Sequence, residues 1–372
     1  MTPASSSAEP ASGSEPYDGT SETVDESRDV ARIAVILPVY NTARYLPECL
    51  DSLSRQTHGN FVVYAVDDGS ADNSAAILEA HAERDARFHV FRKANGGVSS
   101  ARNLALEAVE ADGRFDIIAF CDSDDVLDPN FLALCAKGHA EFRASCITVG
   151  FEAFNKTGPV RMKAPNMHPP IVLEGDALYD FMYGLGAFKD LDSPATAVFI
   201  CTTAYDASAV RGLRFDASMP IGEDQDYRLH AIERCRRGVA FSDMVYRYRI
   251  RRSSLSHDVH FKTTDLDLYL NWLARSEDLS PVVRRAIESR VASNWMHCLR
   301  WAYEDGKLDE YWSYFEKALA VMQREFRYES LKSFSMRKRI LFFRLGRAIM
   351  KLYLSRSTDK TRRHRKLENA YD

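Results

Sequence analysis

The chain has little of what marks an exported, membrane-spanning or nucleic-acid-binding protein. No basic-plus-apolar leader opens its 372 residues, and no uninterrupted apolar run approaches the ~20 residues that a membrane helix needs. Forty-nine Lys and Arg against 53 Asp and Glu give a formal charge of -4, so no global pull toward nucleic acid is expected. There is no C-x-x-C. The cysteines, Cys49, Cys121, Cys135, Cys146, Cys201, Cys235 and Cys298, are scattered through apolar runs, the pattern of reduced, buried thiols in a cytoplasmic setting. No internal repeat is present. Two nucleotide motifs are also missing: G-x-x-x-x-G-K-[ST], and G-x-G-x-x-G after the first strand. Neither an NTPase nor a dinucleotide oxidoreductase is therefore supported.

What the chain does have is organised around residues 115–125, Phe-Asp-Ile-Ile-Ala-Phe-Cys-Asp-Ser-Asp-Asp. An apolar run ends in Asp122, Asp124 and Asp125, as a buried strand would where it empties into an acidic loop. Carboxylates this close repel unless a cation lies among them, and Mg²⁺ or Mn²⁺ is held by one or two such groups together with substrate phosphates. The bland reading is an Asp-rich turn before the helix that starts near Pro129.

Upstream, residues 34–39, 61–66 and 88–92 read as strands and 115–121 as a fourth. Between them Tyr45, Leu46, Cys49, Leu50 and Leu53 form a helical stripe, and residues 73–84 and 99–110 read as further helices, the latter capped by Ser99. This alternation predicts an α/β fold, a mainly parallel sheet sandwiched by helices. Further on come a helix to about residue 142, a strand near 146–151, a Pro-rich loop over 155–170, a β-like run at 195–202, a helix closed by Gly238, and a strand over 239–248. Residues 262–334 are helical in period, predicting an all-helical C-terminal part. Residues 1–30, rich in Ser, Asp and Glu, are expected to be disordered. The expected divisions are 1–30, 31–255, 256–335 and a basic amphipathic tail, 336–372. Tyr40-Asn41, Asp67 to Ser70, Asn95 to Gly97 and Asp122 to Asp125 each directly follow a predicted strand. Ligands of open α/β sheets bind outside the carboxyl ends of the strands, so these loops are expected to share one rim.

Four blocks in order, Val35-Ile-Leu-Pro-Val-Tyr-Asn41, Val66-Asp-Asp-Gly-Ser-Ala-Asp-Asn73, Asn95-Gly-Gly-Val-Ser-Ser-Ala-Arg-Asn103 and Asp122-Ser-Asp-Asp125, resemble the family 2 glycosyltransferases of bacterial surface-polysaccharide synthesis. The resemblance covers about residues 32–250 and implies a GT-A fold acting on a nucleotide-sugar, a UDP-sugar first, with Mn²⁺ or Mg²⁺. Carried over, it puts Pro38, Val39 and Tyr40 beside the nucleobase, counts Asn41 among the donor-binding residues, and has Asp67 accept a hydrogen bond from the base. It sets Asn95, Arg102 and Ser123 near the donor, Asp122 by the ribose and metal, and Asp124 on the metal with Asp125 in reserve. Tyr40 also reads as a strand-end aromatic, and Asp68, Ser70 and Asn103 as turn-shaping or structural residues.

Gly222-Glu-Asp-Gln-Asp-Tyr227 resembles the family's E-D motif, which implies Asp224 as catalytic base and Glu223 as the group that orients base or acceptor. The plain alternative is acids favouring a helix start. Tyr246-Arg-Tyr-Arg-Ile-Arg-Arg-Ser-Ser-Leu-Ser-His257 resembles the Tyr-Arg then Ser-x-Ser ending of bacterial members. It offers Arg251, Arg252 and Ser254 to the diphosphate or acceptor and His257 to the metal, although a lone His in a polar loop is usually solvated. A single helix over 337–354 would set Leu341, Leu345, Ala348, Ile349 and Leu352 on one side beside Arg337, Arg344, Arg347 and Lys351, fitting an anionic membrane surface. Phe343 falls outside that side, and packing on the protein or a partner is the alternative. The basic end, Arg362 to Lys366, lacks a readable nucleic-acid-binding domain.

The expected activity is inverting, metal-dependent sugar transfer to a glycan or lipid-linked acceptor, in the cytoplasm or on the inner face of the membrane. The alternatives are a nucleotidyltransferase, whose Gly-rich basic loop after the first strand is lacking, and a non-catalytic sugar-nucleotide-binding scaffold.

Overall fold

The structure, a computed structural model, describes residues 30–159, 170–182, 200–219, 222–251, 259–275, 281–327 and 334–358. Outside them lie the N-terminal segment expected to be disordered, most of the Pro-rich loop, residues 195–199, Arg252, Ser254, His257 and the basic end after Thr358.

Strands β1 (Ile33–Val39), β2 (Phe61–Asp67), β3 (Phe88–Arg92) and β4 (Ile117–Phe120) are joined by helices α1 (Leu46–Ser54), α2 (Ser74–Ala82) and α3 (Val98–Asp112). They pair parallel in the order β3-β2-β1-β4. Every residue of β1 and β2 is buried, which is why both read as unbroken apolar runs: helices cover both faces of a parallel sheet. The chain continues through β5 (Val126–Leu127), α4 (Phe131–Phe142), β6 (Cys146–Asn155), β7 (Gly158–Pro159), β8 (Ile171–Glu174) and α5 (Asp176–Met182). It then runs through β9 (Thr203–Asp206), α6 (Ala207–Val210), α7 (Glu223–Arg234) and β10 (Arg237–Arg249). β9 inserts antiparallel between β4 and β6, β6 and β10 pair parallel, and β5 closes the order antiparallel on β10. The sheet is mixed and mainly parallel.

Several local expectations are corrected. Residues 200–202 form a 3₁₀ turn, with the strand only beginning at Thr203. Gly97, at φ +85, takes the cap of α3. Ser99 thus lies inside the first turn, its hydroxyl buried without a hydrogen-bond partner among the described residues. Gly238 does not close α7 either. The helix ends at Arg234, Cys235 is extended, and the chain runs into β10, where a Cβ on Gly238 would come 2.6 Å from Leu178 Cδ1.

After β10 come α8 (Val259–Arg275), α9 (Pro281–Glu304), α10 (Leu308–Glu325), α11 (Phe334–Arg344) and α12 (Arg347–Thr358). Their apolar faces make a second core cluster around Trp295, Phe315 and Trp312, with the Trp295 indole N–H donating to the Phe315 carbonyl at 3.1 Å. The single tail helix expected from the sequence is two helices, broken at Gly346 (φ +104). Helix α7 belongs to both cores: Tyr227, Ala231 and Ile232 pack on the sheet side and Leu229 in the helical cluster. All seven cysteines are free and buried, as their apolar settings predict.

Candidate active site

Parallel pairing sets the carboxyl ends of β1 and β2 side by side, Val39 opposite Asp67. From there the loops are tied to one another by hydrogen bonds. The Asn41 N–H donates to Ser70 Oγ at 3.0 Å, and Asn41 Oδ1 accepts from the Ala71 N–H at 2.8 Å. Asn41 sits at φ +51, a conformation that Asn tolerates better than most residues. The buried Asp68 carboxylate accepts from the N–H groups of Gly96 (3.0 Å) and Gly97 (2.8 Å) and pairs with Lys93 Nζ at 2.5 Å. The loop after β3 is therefore pinned to the loop after β2. At Gly69 (φ +73) the two loops approach so closely that a Cβ would lie 2.8 Å from the Asn95 N–H nitrogen. Asn95 itself is exposed.

The acidic loop joins the same rim. Thr42 Oγ1 donates to Ser123 Oγ at 3.0 Å, linking the loops after β1 and β4. Arg102, reaching up from α3, is 4% exposed. Its guanidinium donates to Asp122 Oδ1 at 3.0 Å and to Glu223 Oε1 at 3.1 Å. This one side chain spans from the acidic loop to the first turn of α7. Burial opposes its charge, but Asp122 and Glu223 together raise its pKa above the ordinary value.

Arg249, the last residue of β10, and Arg251 just beyond it also contact the acidic loop. Arg249 donates through Nε to the Asp124 carbonyl at 2.7 Å and through its N–H to Asp125 Oδ1 at 2.8 Å. Arg251 Nε pairs with Asp124 Oδ2 at 2.5 Å. Burial pushes the Asp124 carboxyl up; Arg251 pulls the other way, and the Asp122 charge adds to the rise. Glu223 is likewise raised by burial, against Arg102 and with Asp224. The rim thus holds more carboxylate charge than its guanidiniums neutralise.

Asp124 and Asp122 keep side-chain exposures of 14% and 37%, and hard carboxylate oxygens in that number suit Mg²⁺ or Mn²⁺ with phosphate oxygens completing the shell. Among the described residues no group of three or more His, Cys, Asp and Glu forms a ready-made cage. The reserve role expected of Asp125 does not fit: it is fully buried, accepts from the Tyr246 hydroxyl at 2.5 Å and from Arg249, and anchors the loop.

The other expected site residues divide by exposure. Tyr40 is 49% exposed at the rim, whereas Pro38 and Val39 are buried within β1 and can offer only backbone. Asp67 is buried; it accepts from the Ser70 N–H at 3.3 Å and lies 3.7 Å from Arg92 Nε. Asn41 and Ser123 have their side chains engaged in tying loops. Asp224 is half-buried in the first turn of α7, next to Glu223. Arg251 touches Asp124. Asn103 is structural, exchanging hydrogen bonds with the backbone of Phe215.

Sequence reasoning missed Lys93, Thr42 and Arg249. The first two act through partners distant in the chain. Arg249 lies within the Tyr-Arg block that the sequence offered, yet nothing local announces its contacts with the Asp124 carbonyl and Asp125.

A mixed, mainly parallel α/β sheet whose strand ends collect paired carboxylates, an exposed aromatic and a second acidic pair on a helix start defines a GT-A-like fold. Residues 34–206 match the family model for glycosyl transferase family 2. Glycosyltransferase GlyA of Streptococcus pneumoniae is 30% identical over 231 residues, 60% of this chain and 31% of that protein. The minor teichoic acid biosynthesis protein GgaB of Bacillus subtilis is 27% identical over 228 residues, 60% of this chain and 23% of its own length. The chain thus spans about a third or less of these relatives. Among solved structures, S. aureus TarS 1-349 in complex with UDP-GlcNAc superposes with a TM-score of 0.63 at 20% identity, covering 90% of this chain and 92% of that one. The mannosyltransferase PcManGT of Pyrobaculum calidifontis, with GDP-Man and Mn²⁺, gives 0.51 at 15%, covering 89% and 86%. Both share the fold. Among the described residues no helix is long and apolar enough to cross a membrane.

Proposed function

We propose that the chain is an inverting, metal-dependent glycosyltransferase that moves a sugar from a UDP-sugar to a glycan or lipid-linked acceptor. It would do so in cell-surface polysaccharide synthesis, on the cytoplasmic side of the membrane. The observation that carries this reading is the Arg102 bridge, which holds Asp122 of the acidic loop and Glu223 of the Glu-Asp pair in one site. The kinship to GgaB supports a polymer acceptor, and the fold shared with the UDP-GlcNAc complex of TarS supports the UDP preference.

In this reading Tyr40 stacks on the nucleobase and Asp67 accepts its N–H. Asp122 and Asp124 hold Mn²⁺ or Mg²⁺, which when bound neutralises charge growing on the departing diphosphate. Asn95 lies along the donor. Arg251 is within reach of the same diphosphate, a second positive group beside Asp124. Asp224 takes the proton of the attacking acceptor hydroxyl, and Glu223, held by Arg102, fixes the position of the helix start from which Asp224 projects.

Two measurements test the proposal. UDP-, GDP- and TDP-sugars are screened by thermal shift with and without Mn²⁺; stabilisation by a UDP-sugar that grows with Mn²⁺ is expected, and is lost in Asp124→Asn. In the second, Asp224→Asn still binds donor while kcat falls about 10²- to 10⁴-fold. If no nucleotide stabilises the chain, or Asp224→Asn transfers at the wild-type rate, the reading fails.

A further inference from the structure

Exposed large apolar side chains are otherwise scattered singly among the described residues, at Val30, Tyr40, Val98 and Val172, which is ordinary for a folded surface. The α11–α12 hairpin differs. Leu341 (55% exposed), Leu345 (54%), Ile349 (39%) and Leu352 (53%) all point outward within twelve residues of chain. They are not a loose end. The opposite sides of the same helices are buried through Ile340, Phe343, Met350 and Leu354. Phe343 stacks on Trp312 at 4.3 Å and meets Trp295 at 5.1 Å, and Phe342 packs against Tyr353 across the turn at 4.9 Å. The hairpin is apolar on two sides, one seated on the helical core and the other without a partner among the described residues.

Charge says what covers the outer side. From Phe334 to Thr358 the chain carries seven Lys and Arg and neither Asp nor Glu. Arg337, Lys338, Arg344 and Arg347 are exposed, and among the described residues Arg337 and Arg344 pair with no carboxylate. Lys351 is neutralised by Asp309 at 2.6 Å. Paired Leu and Ile side chains rimmed by free cations match the boundary of an anionic bilayer, where acyl chains receive the aliphatic groups and headgroups receive the cations. A second copy of the chain fits worse, since self-pairing would oppose the same cations. Nucleic acid fits worse too, since the face offers aliphatic groups where stacking needs aromatic or planar ones.

We infer that the outer face of the α11–α12 hairpin, through Leu341, Leu345, Ile349 and Leu352 with Arg337 and Arg344, seats the protein on an anionic lipid surface. This deepens the membrane-side part of the proposed function and is independent of the catalytic roles.

The test is co-sedimentation of the full chain with vesicles of phosphatidylcholine alone and of phosphatidylcholine mixed with phosphatidylglycerol. The wild type is expected to bind the mixed vesicles and to bind the neutral ones weakly. Leu345→Ser/Ile349→Ser is expected to lower partitioning at least about tenfold. Arg337→Gln/Arg344→Gln should lower it about fivefold per charge at low salt, a difference that closes at high salt. Because these residues are exposed, the variants keep the wild-type melting temperature and its donor-induced shift. The inference is overturned if the wild type ignores both vesicles, or if the variants bind as it does. It is equally overturned if the substitutions turn a dimer into a monomer without changing vesicle binding. Any of these outcomes would leave sugar transfer in solution untouched, whereas loss of donor binding with vesicle binding intact would strike only the enzymatic reading.

Discussion

At the scale of single residues, Arg102 determines most. It is buried between two carboxylates that come from segments 20 and 121 residues away in the chain, and removing one member of a buried charge group leaves the others uncompensated. Arg102→Met is expected to lower stability by about 3 kcal/mol in urea unfolding, and adding Glu223→Gln should recover part of that loss. If Arg102→Met alone is neutral, the bridge does not organise the rim. The family resemblance implies a place near the donor for Arg102 but could not reveal it as a strut, because nothing local to α3 announces Glu223. Asp85 gives a residue-scale pH dependence. Its hydrogen bonds from the Arg87 side chain outweigh partial burial, and with help from Ser54 they hold its carboxyl at about 2, below the ordinary 3.8. A depressed carboxyl contributes stability above its unfolded pKa and loses it as pH falls toward the folded value. Asp85→Asn should cost about 1–2 kcal/mol at neutral pH, and the gap to wild type should shrink between pH 3.8 and about 2. A gap independent of pH would assign the loss to something other than this charge.

At the scale of elements, the strands were legible because β1, β2 and β4 are buried apolar runs that stop at polar residues. Chain order then sets the four candidate loops at one edge. Boundaries were misread where tertiary packing overrides a local signal. Gly238 looks like a helix stop, yet the extended Cys235 has already ended α7, and the glycine serves a close approach of β10 to Leu178. Gly138 shows the same constraint within a helix. A Cβ there would lie 2.7 Å from Ile147 Cγ2 and 3.0 Å from Val239 Cγ1, so α4 packs directly on β6 and β10. Helix propensity favours Ala over Gly by up to ~1 kcal/mol, but overpacking costs about 1–3. Gly138→Ala should therefore lower stability by about 1–2 kcal/mol in urea unfolding; a stabilised variant would mean the sheet yields freely at this point.

For the molecule as a whole, the helical C-terminal part was legible as periodicity, but its pairing was not. Phe343, out of place on a single amphipathic helix, was the sign of a hairpin with two apolar sides, and the break at Gly346 lets it reach Trp312 and Trp295. Phe343→Ala is expected to cost about 3–5 kcal/mol, measured by thermal and urea unfolding, because it empties a buried aromatic stack. A loss under about 1 kcal/mol would show that the hairpin is held elsewhere. The same contact makes point substitution on the outer face a cleaner probe of the hairpin than deletion, which would also uncover Trp312.

The double membership of α7 has a consequence for dissecting the protein. Tyr227 leans on the sheet while Leu229 is sunk among the C-terminal helices, so the segment bearing Glu223 and Asp224 is wedged between two halves of the chain. A fragment stopping near Arg251 would keep the floor of the cleft and lose the wall behind its acidic pair. Sequence changes far from the acidic pair, on α8 or α9, thereby gain a mechanical route to the positions of Glu223 and Asp224.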